Sequence, residues 1–274
     1  PKYDQFGQDW TMLEEYMVAL FESMDHDIEI ARYNYGYALK AHKSNSGRPL
    51  SEAVIKWGLL ILIAAKTYSD TVSIHVSNAF INLGDISSAI DTLEKYGNPK
   101  AARISSKIKG YNDLLNLKDK GFTASLEPLT GGYDPIPNRV LYVLHNSLPY
   151  NSGGYATRGH GLMCGVKKMG WDVHVTTRRG YPHDRKGMDD LPIDPLQVVD
   201  GIPYHRLIEL ERGYGQINIA SYLNAYAEDL VQLVQEIRPS IIHAASNHLN
   251  GLVANVVAKH FSIPSIYEVR GLWE

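Results

Sequence analysis

The sequence predicts an α/β protein in two parts: a doubly wound, mostly parallel sheet over residues 139–274, preceded by an all-α helical-hairpin domain over residues 1–120. Three observations carry this. Apolar residues in the first part recur at three- and four-residue intervals. Beyond residue 138, short β-rich runs alternate with helical stretches. Between them, Gly121 to Asn138 holds three prolines and three glycines and reads as a linker, 121–138.

In the first part, Asp9 is placed to cap a helix carrying Trp10, Leu13, Met17, Leu20 and Phe21 on one stripe. A second helix is expected after Pro49 with Ser51 as its N-cap. The run Leu59 to Ala65 is apolar but far short of the roughly 18 to 20 residues that span a bilayer, so it reads as a buried helix. Gly84 should end one helix and Asp85 cap the next, where Ala89, Ile90 and Leu93 rebuild the stripe. This Leu-Gly-Asp-(x)3-Ala-Ile-(x)2-Leu pattern resembles one tetratricopeptide helix pair, without regular copies at the period of about 34 residues. A spacer role and a partner-docking role for the helices both remain open.

In the second part the expected elements are strand Arg139–His145, helix Tyr155–Met169 and strand Trp171–Thr177. A hairpin around Asp200-Gly201 follows, then helix Ile217–Arg238, strand Ser240–Ala244, helix Leu249–Phe261 and strand Pro264–Val269. Sheets of this kind bind ligands beyond the carboxyl ends of their strands. The polar segments there, His145 to Arg158, Ala245 to Gly251 and Glu268 to Glu274, are expected to converge.

Composition narrows the ligand. Hydrophobic residues make up 44% and charged residues 21%, and Lys+Arg 27 against Asp+Glu 30 gives a net charge of −3, so no basic field argues for nucleic acid. The single Cys164 cannot form an internal disulfide and has no second Cys or metal-ligand array near it in sequence, which suits a reducing, cytosolic setting. Pro1 to Gln5 shows no apolar signal core, and the sequence stops just after a predicted strand, so a piece of a longer protein is expected.

A dinucleotide fails the motif test. The turn after the first strand carries only Gly153-Gly154, Gly159-His-Gly161-Leu-Met-Cys164 lacks its third glycine, and Thr176-Thr-Arg-Arg179 offers no carboxylate for a ribose. No Gly-Lys-Ser/Thr follows either, which excludes a Walker loop. What remains is a glycine turn feeding a helix N-terminus, either an anion cradle or a plain connection. His174, His183 and His205 lack metal-ligand spacing to one another. The pairs Lys167-Lys168 and Arg178-Arg179 read as solvated faces, with contact to anionic lipid or a lipid-diphosphate acceptor as the other reading.

Arg139-Val-Leu-Tyr-Val-Leu-His-Asn-Ser-Leu-Pro-Tyr-Asn-Ser-Gly-Gly-Tyr-Ala-Thr-Arg158, with Trp171–Arg178, Val199–Leu207 and Tyr267–Glu274 in the same order, resembles the Rossmann-like N-terminal half of a GT-B glycosyltransferase of family 4, also called group 1. The resemblance implies a retaining transferase whose missing second half grips a nucleotide-diphosphate sugar, with no cofactor and no metal. It implies that Gly153 and Gly154, with Tyr155, Arg158, His145, Asn146 and Asn247, border the donor diphosphate or acceptor. His248 would lie near the transferred sugar, with Glu268 and Arg270 lining the cleft. For His145 and His248 the alternative is a plain hydrogen-bonding role at a strand end or helix start; for Glu268 and Arg270 it is a structural ion pair. The implied setting is cytoplasmic assembly of cell-surface polysaccharide or glycolipid, with sugar or lipid-linked acceptors and peripheral membrane contact. A non-catalytic scaffold docking a protein through its helices is the competing class.

Overall fold

The computed structural model describes residues 10–23, 28–44, 47–65, 68–208 and 218–270. Asp9, Ile217, Gly271 to Glu274 and the side chain of Phe21, all used in the sequence reading, lie outside the described residues. The chain divides into two compact units, Pro1–Lys120 and Gly121–Glu274.

The first unit consists of α1 (Trp10–Ser23), α2 (Ile28–Ser44), α3 (Arg48–Ala65), α4 (Asp70–Asn82), α5 (Ile86–Tyr96) and α6 (Ala102–Lys120). From α2 onward each helix packs against the next, and α1 lies on α3. Leu59, Leu60 and Leu62 of the apolar run are buried in the centre, together with Met17, Phe80, Leu93 and Ile104. Gly84 has φ +80, the left-handed conformation that ends α4 without a Cβ penalty. Asp85 then accepts from the Ser88 N–H at 3.0 Å as the N-cap of α5.

One expectation needs correction here, and one helix was not singled out. The helix after Pro49 begins earlier, because the N–H groups of Leu50 and Ser51 both donate to the Gly47 carbonyl. Proline sits comfortably in a first turn, where its missing N–H has no intrahelical role. Ser51 is therefore not the N-cap; it is buried, and its hydroxyl meets His42 Nε2 at 3.0 Å. The whole of α2, which the apolar periodicity did not single out, is also present.

The second unit holds β1 (Ile136–Leu144), α7 (Gly154–Lys168), β2 (Asp172–Thr177), β3 (Leu196–Val199), β4 (Ile202–His205), α8 (Ile219–Ile237), β5 (Pro239–Ala245), α9 (His248–His260) and β6 (Ser265–Glu268). The six-stranded sheet runs β3-β4-β2-β1-β5-β6, parallel except for β3, which is antiparallel to β4. Val140, Tyr142 and Leu144 of β1 pack with Met163 of α7 and with Val173 and Val175 of β2. Alternation turns Leu141 and Val143 to the opposite face, where α9 packs on β5 and β6 and α8 packs on α9. This is the doubly wound α/β arrangement expected from the sequence.

β1 starts inside the expected linker. Ile136 pairs with Pro239, and the register then shifts before Val140 pairs with Ile241. The irregularity absorbs Pro137, which has no N–H for a ladder, and Asn138, whose φ is 57. The Asp200-Gly201 turn joins β3 to β4 with φ values of 50 and 73, both in the left-handed region that a two-residue hairpin requires.

Candidate functional site

From β1 the chain passes through α7 to β2 on one side of the sheet, and from β5 through α9 to β6 on the other. Their carboxyl ends therefore flank the point where strand order reverses. The structure brings residues from all three predicted polar segments to this edge.

At its centre lies a polar hub. Tyr142 and His243 are register partners on adjacent strands, with ring centroids 4.2 Å apart. Tyr142 Oη donates to Glu268 Oε2 at 2.6 Å and accepts from Arg270 Nη2 at 3.1 Å. Arg270 Nη2 also donates to Glu268 Oε2 at 3.0 Å, and its Nη1 donates to the Tyr155 carbonyl in the first turn of α7 at 2.9 Å. The Arg270 N–H donates to Ser246 Oγ at 2.8 Å, and Ser246 N–H donates to the Glu268 carbonyl at 3.1 Å. Glu268 and Arg270 thus form an ion pair that fastens β1, β5 and β6 to the start of α7.

Electrostatics follows from this packing. Burial alone would raise the Glu268 carboxyl, but hydrogen bonds from Arg270 and Tyr142 outweigh it and hold the group below its ordinary value. Burial also opposes the Arg270 charge, yet the bond to Glu268 raises its pKa. With a side chain only 2% exposed, Arg270 is committed to the ion pair with Glu268. Arg158 differs: its side chain is 61% exposed and reaches Glu268 Oε1 at 3.2 Å. It can swing away at little cost.

Gly153 is the N-cap of α7 and Gly154 its first residue. Gly153 N–H donates to Asn151 Oδ1 at 2.7 Å, closing the turn. Neither glycine has positive φ, and a Cβ built on Gly154 meets nothing within 4 Å. Neither the backbone nor the packing calls for glycine at 154. The first N–H groups of a helix lack intrahelical acceptors, so this end is open to an anion.

The wall beside it, the 145–150 loop, is clamped from neighbouring strands. Arg178, just after β2, donates to the His145 carbonyl. Tyr181 Oη donates to the Ser147 carbonyl at 2.8 Å, Arg185 to the Tyr150 carbonyl at 2.8 Å, and Arg206 to Ser147 Oγ and the Leu148 carbonyl, both at 2.7 Å. Arg178 is held in turn by Asp184 through two bonds of 2.8 Å, and Arg179 by Asp229 at 2.6 Å. This corrects the reading of the Arg178-Arg179 pair as solvated. Both arginines are largely buried because they neutralise carboxylates and satisfy a loop.

Burial has orphaned several polar atoms at this edge. Among the described residues, His145 Nδ1, Asn146 Oδ1, Tyr155 Oη, Thr177 Oγ1, His243 Nε2, Asn247 Oδ1 and Arg270 Nε are buried without a hydrogen-bond partner, and the remaining such atom is His260 Nε2 at the end of α9. His243 Nε2 lies 3.6 Å from Glu268 Oε2, beyond hydrogen-bond reach. Native proteins pair such atoms with protein, water or ligand. Seven of these eight atoms lie at the carboxyl-end edge of the sheet. Burial, then the charge of Arg178, lowers the His145 pKa to about 4, so at neutral pH its ring offers one donor and one acceptor. Asn247, the N-cap residue of α9, makes no side-chain cap bond, and His248 is exposed at the first position of the helix.

The decisive comparison is with a protein family: residues 153–274 match the family model described as the glycosyl transferase 4-like domain. Residues 153–274 of the α/β unit are similar to a glycosyl transferase 4-like domain. No curated protein matches the chain. The match opens at Gly153, the α7 N-cap; β1 lies before it and belongs to the same sheet, pairing with both β2 and β5. Tyr142, His243 and Arg206 escaped the sequence reading, and Arg178 was read only as part of a solvated pair. Only the position of the two arginines directly after strands could have pointed to them.

Proposed function

We propose that residues 139–274 form the acceptor-side half of a retaining GT-B glycosyltransferase, which moves a sugar from a nucleotide-diphosphate sugar to a sugar or lipid-linked acceptor. The setting we propose is cytoplasmic synthesis of cell-surface polysaccharide or glycolipid. The single observation that carries the reading is the set of orphaned polar atoms at the carboxyl ends of β1, β2 and β5, beside the open N-terminus of α7. Hydroxyl-rich ligands need both donors and acceptors. His145, Asn146, Thr177 and Asn247 supply them from a fixed wall.

The open N–H groups of Gly154 and Tyr155 and the mobile Arg158 would face the donor diphosphate, where positive charge and backbone amides stabilise the leaving nucleotide. Glu268 and Arg270 act by positioning α7 through the Tyr155 carbonyl. No metal or cofactor takes part in this transfer. In this reading a second domain grips the nucleotide, and residues 139–274 by themselves bind donor weakly.

A donor and acceptor screen on the longer protein tests this, with His248→Ala as the site probe. The expected result is product of retained anomeric configuration and a fall in kcat of at least about tenfold in the variant, the loss of one transition-state contact. Full activity in His248→Ala removes that residue from the site, and absence of any sugar transfer rejects the proposal. One observation favours the scaffold reading for the helical unit: Ile30, Tyr33 and Tyr37 are exposed on α2 at 46%, 77% and 74%. A pull-down that depends on Tyr33 and Tyr37, with transfer unaffected, would place docking there.

A further inference from the structure

We propose that the chain also binds one zinc(II) ion, through His160 Nε2, Cys164 Sγ and the Asp200 carboxylate. The site lies at the other end of the sheet from the candidate crevice, where the β3–β4 turn meets α7. The three donor atoms all fall within 4.8 Å of one another. Nε2 and Sγ are 3.5 Å apart, and Nε2 and Oδ2 are 2.9 Å apart.

Coordination geometry explains these spacings. A tetrahedral zinc with bonds of about 2.0 Å to nitrogen, 2.3 Å to sulfur and 2.0 Å to oxygen holds N and S about 3.5 Å apart and N and O about 3.3 Å apart. The first edge is already met; the exposed Asp200 carboxylate must move by a few tenths of an ångström from the nitrogen and settle at about 3.5 Å from the sulfur, from which it now stands within 4.8 Å. A simple aspartate–histidine hydrogen bond would account for Asp200 alone. The sulfur stands at a ligand edge from the same nitrogen because the two residues are one helical turn apart, and with Asp200 they make a three-donor set.

The surroundings are arranged as an outer shell. His160 and Cys164, four residues apart, share one face of α7. Tyr204 Oη meets His160 Nδ1 at 2.8 Å in the buried core, which orients the ring and lets Nδ1 carry the proton while Nε2 keeps a lone pair for metal. Lys167 donates to the Gly201 carbonyl and fastens the turn to the helix, so Asp200 is delivered to the same place. The Asp200 side chain is 75% exposed, leaving an open side for water as the fourth ligand. The thiol loses its proton on binding, and thiolate plus carboxylate then balance the charge of the ion. Imidazole, thiolate and carboxylate together suit zinc better than magnesium or calcium. The sequence reading saw no ligand array around Cys164, because Asp200 comes from a distant turn and His160 alone is weak.

Cobalt(II) titrated into the metal-free chain tests this cleanly. Cys164 is the single cysteine, so any thiolate-to-cobalt charge-transfer band in the near ultraviolet reports this site. The expected result is one equivalent of cobalt giving that band, displaced by zinc and absent in Cys164→Ser. Asp200→Asn, at an exposed position, should weaken zinc binding at least about tenfold, and Tyr204→Phe about 10- to 100-fold, the usual effect of losing an outer-shell partner. Absence of the band at one equivalent overturns the proposal. So does zinc affinity in Asp200→Asn and Cys164→Ser equal to the parent, which would mean adventitious binding by other histidines. Far-ultraviolet circular dichroism confirms that each variant is folded.

Discussion

Glu268 illustrates how a single residue couples strands to the crevice. Replacing it by glutamine leaves Arg270, almost fully buried, without its counter-charge. Because Glu268 is itself partly exposed, we expect a loss of about 1–3 kcal/mol, below the range for fully buried pairs. The denaturant midpoint should fall while the m value holds. His145 and His205 give a second residue-level prediction. Burial, aided by Arg178 in one case and His174 in the other, lowers both pKa values from 6.5 to about 4. Unfolded imidazoles take up protons near 6.5 and the folded ones resist until about 4, so below pH 6.5 the unfolded state binds more protons. Stability should therefore drop as pH falls from about 6.5 to 4; thermal melts across that window check it, and a flat profile would contradict the burial of these rings. At this scale the sequence named many of the residues at the strand ends but misjudged their state. Arg270 is held by Glu268, the ion pair given as the alternative, and Arg178 by Asp184, six residues on, which the sequence reading did not pair with it.

At the scale of elements, α7 carries the functional weight, since its N-terminus opens on the crevice while its second half bears His160 and Cys164. Gly154→Ala places a methyl group in open space and removes backbone freedom from the unfolded chain. Stability should hold or rise by up to about 1 kcal/mol. If the diphosphate approaches this turn, transferase activity of the longer protein should fall at least about tenfold through KM; unchanged KM would mean the turn merely connects. Most strands and helices of the α/β unit were legible because β-branched runs, capping residues and the Asp200-Gly201 turn agreed locally. The exceptions have physical causes. Pro137 concealed the start of β1, which survives through an irregular register. Helix α2 buries Ala31 and Ala38, small side chains that leave little apolar periodicity to read.

Across the whole molecule, the change of pattern near residue 121 coincides with the boundary between the two compact units. Residues 121–135 form no helix or strand, and most of their side chains are open to solvent or partly so. Limited proteolysis should cut there first and yield two resistant fragments, followed by mass spectrometry; early cleavage inside α3 or β1 would show that the stable cores are drawn elsewhere. The strand order of the sheet was not read, but its doubly wound, mostly parallel character was predictable from alternation alone. The concentration of unpaired polar atoms at one edge was not, because it depends on which side chains the sheet buries together.

The carbonyl clamp on the 145–150 loop has a thermodynamic consequence. Arg178, Tyr181, Arg185 and Arg206 have already frozen that wall before any ligand arrives, so its ordering cost belongs to folding and not to binding. Ligand association against it should carry little conformational penalty and little slow rearrangement.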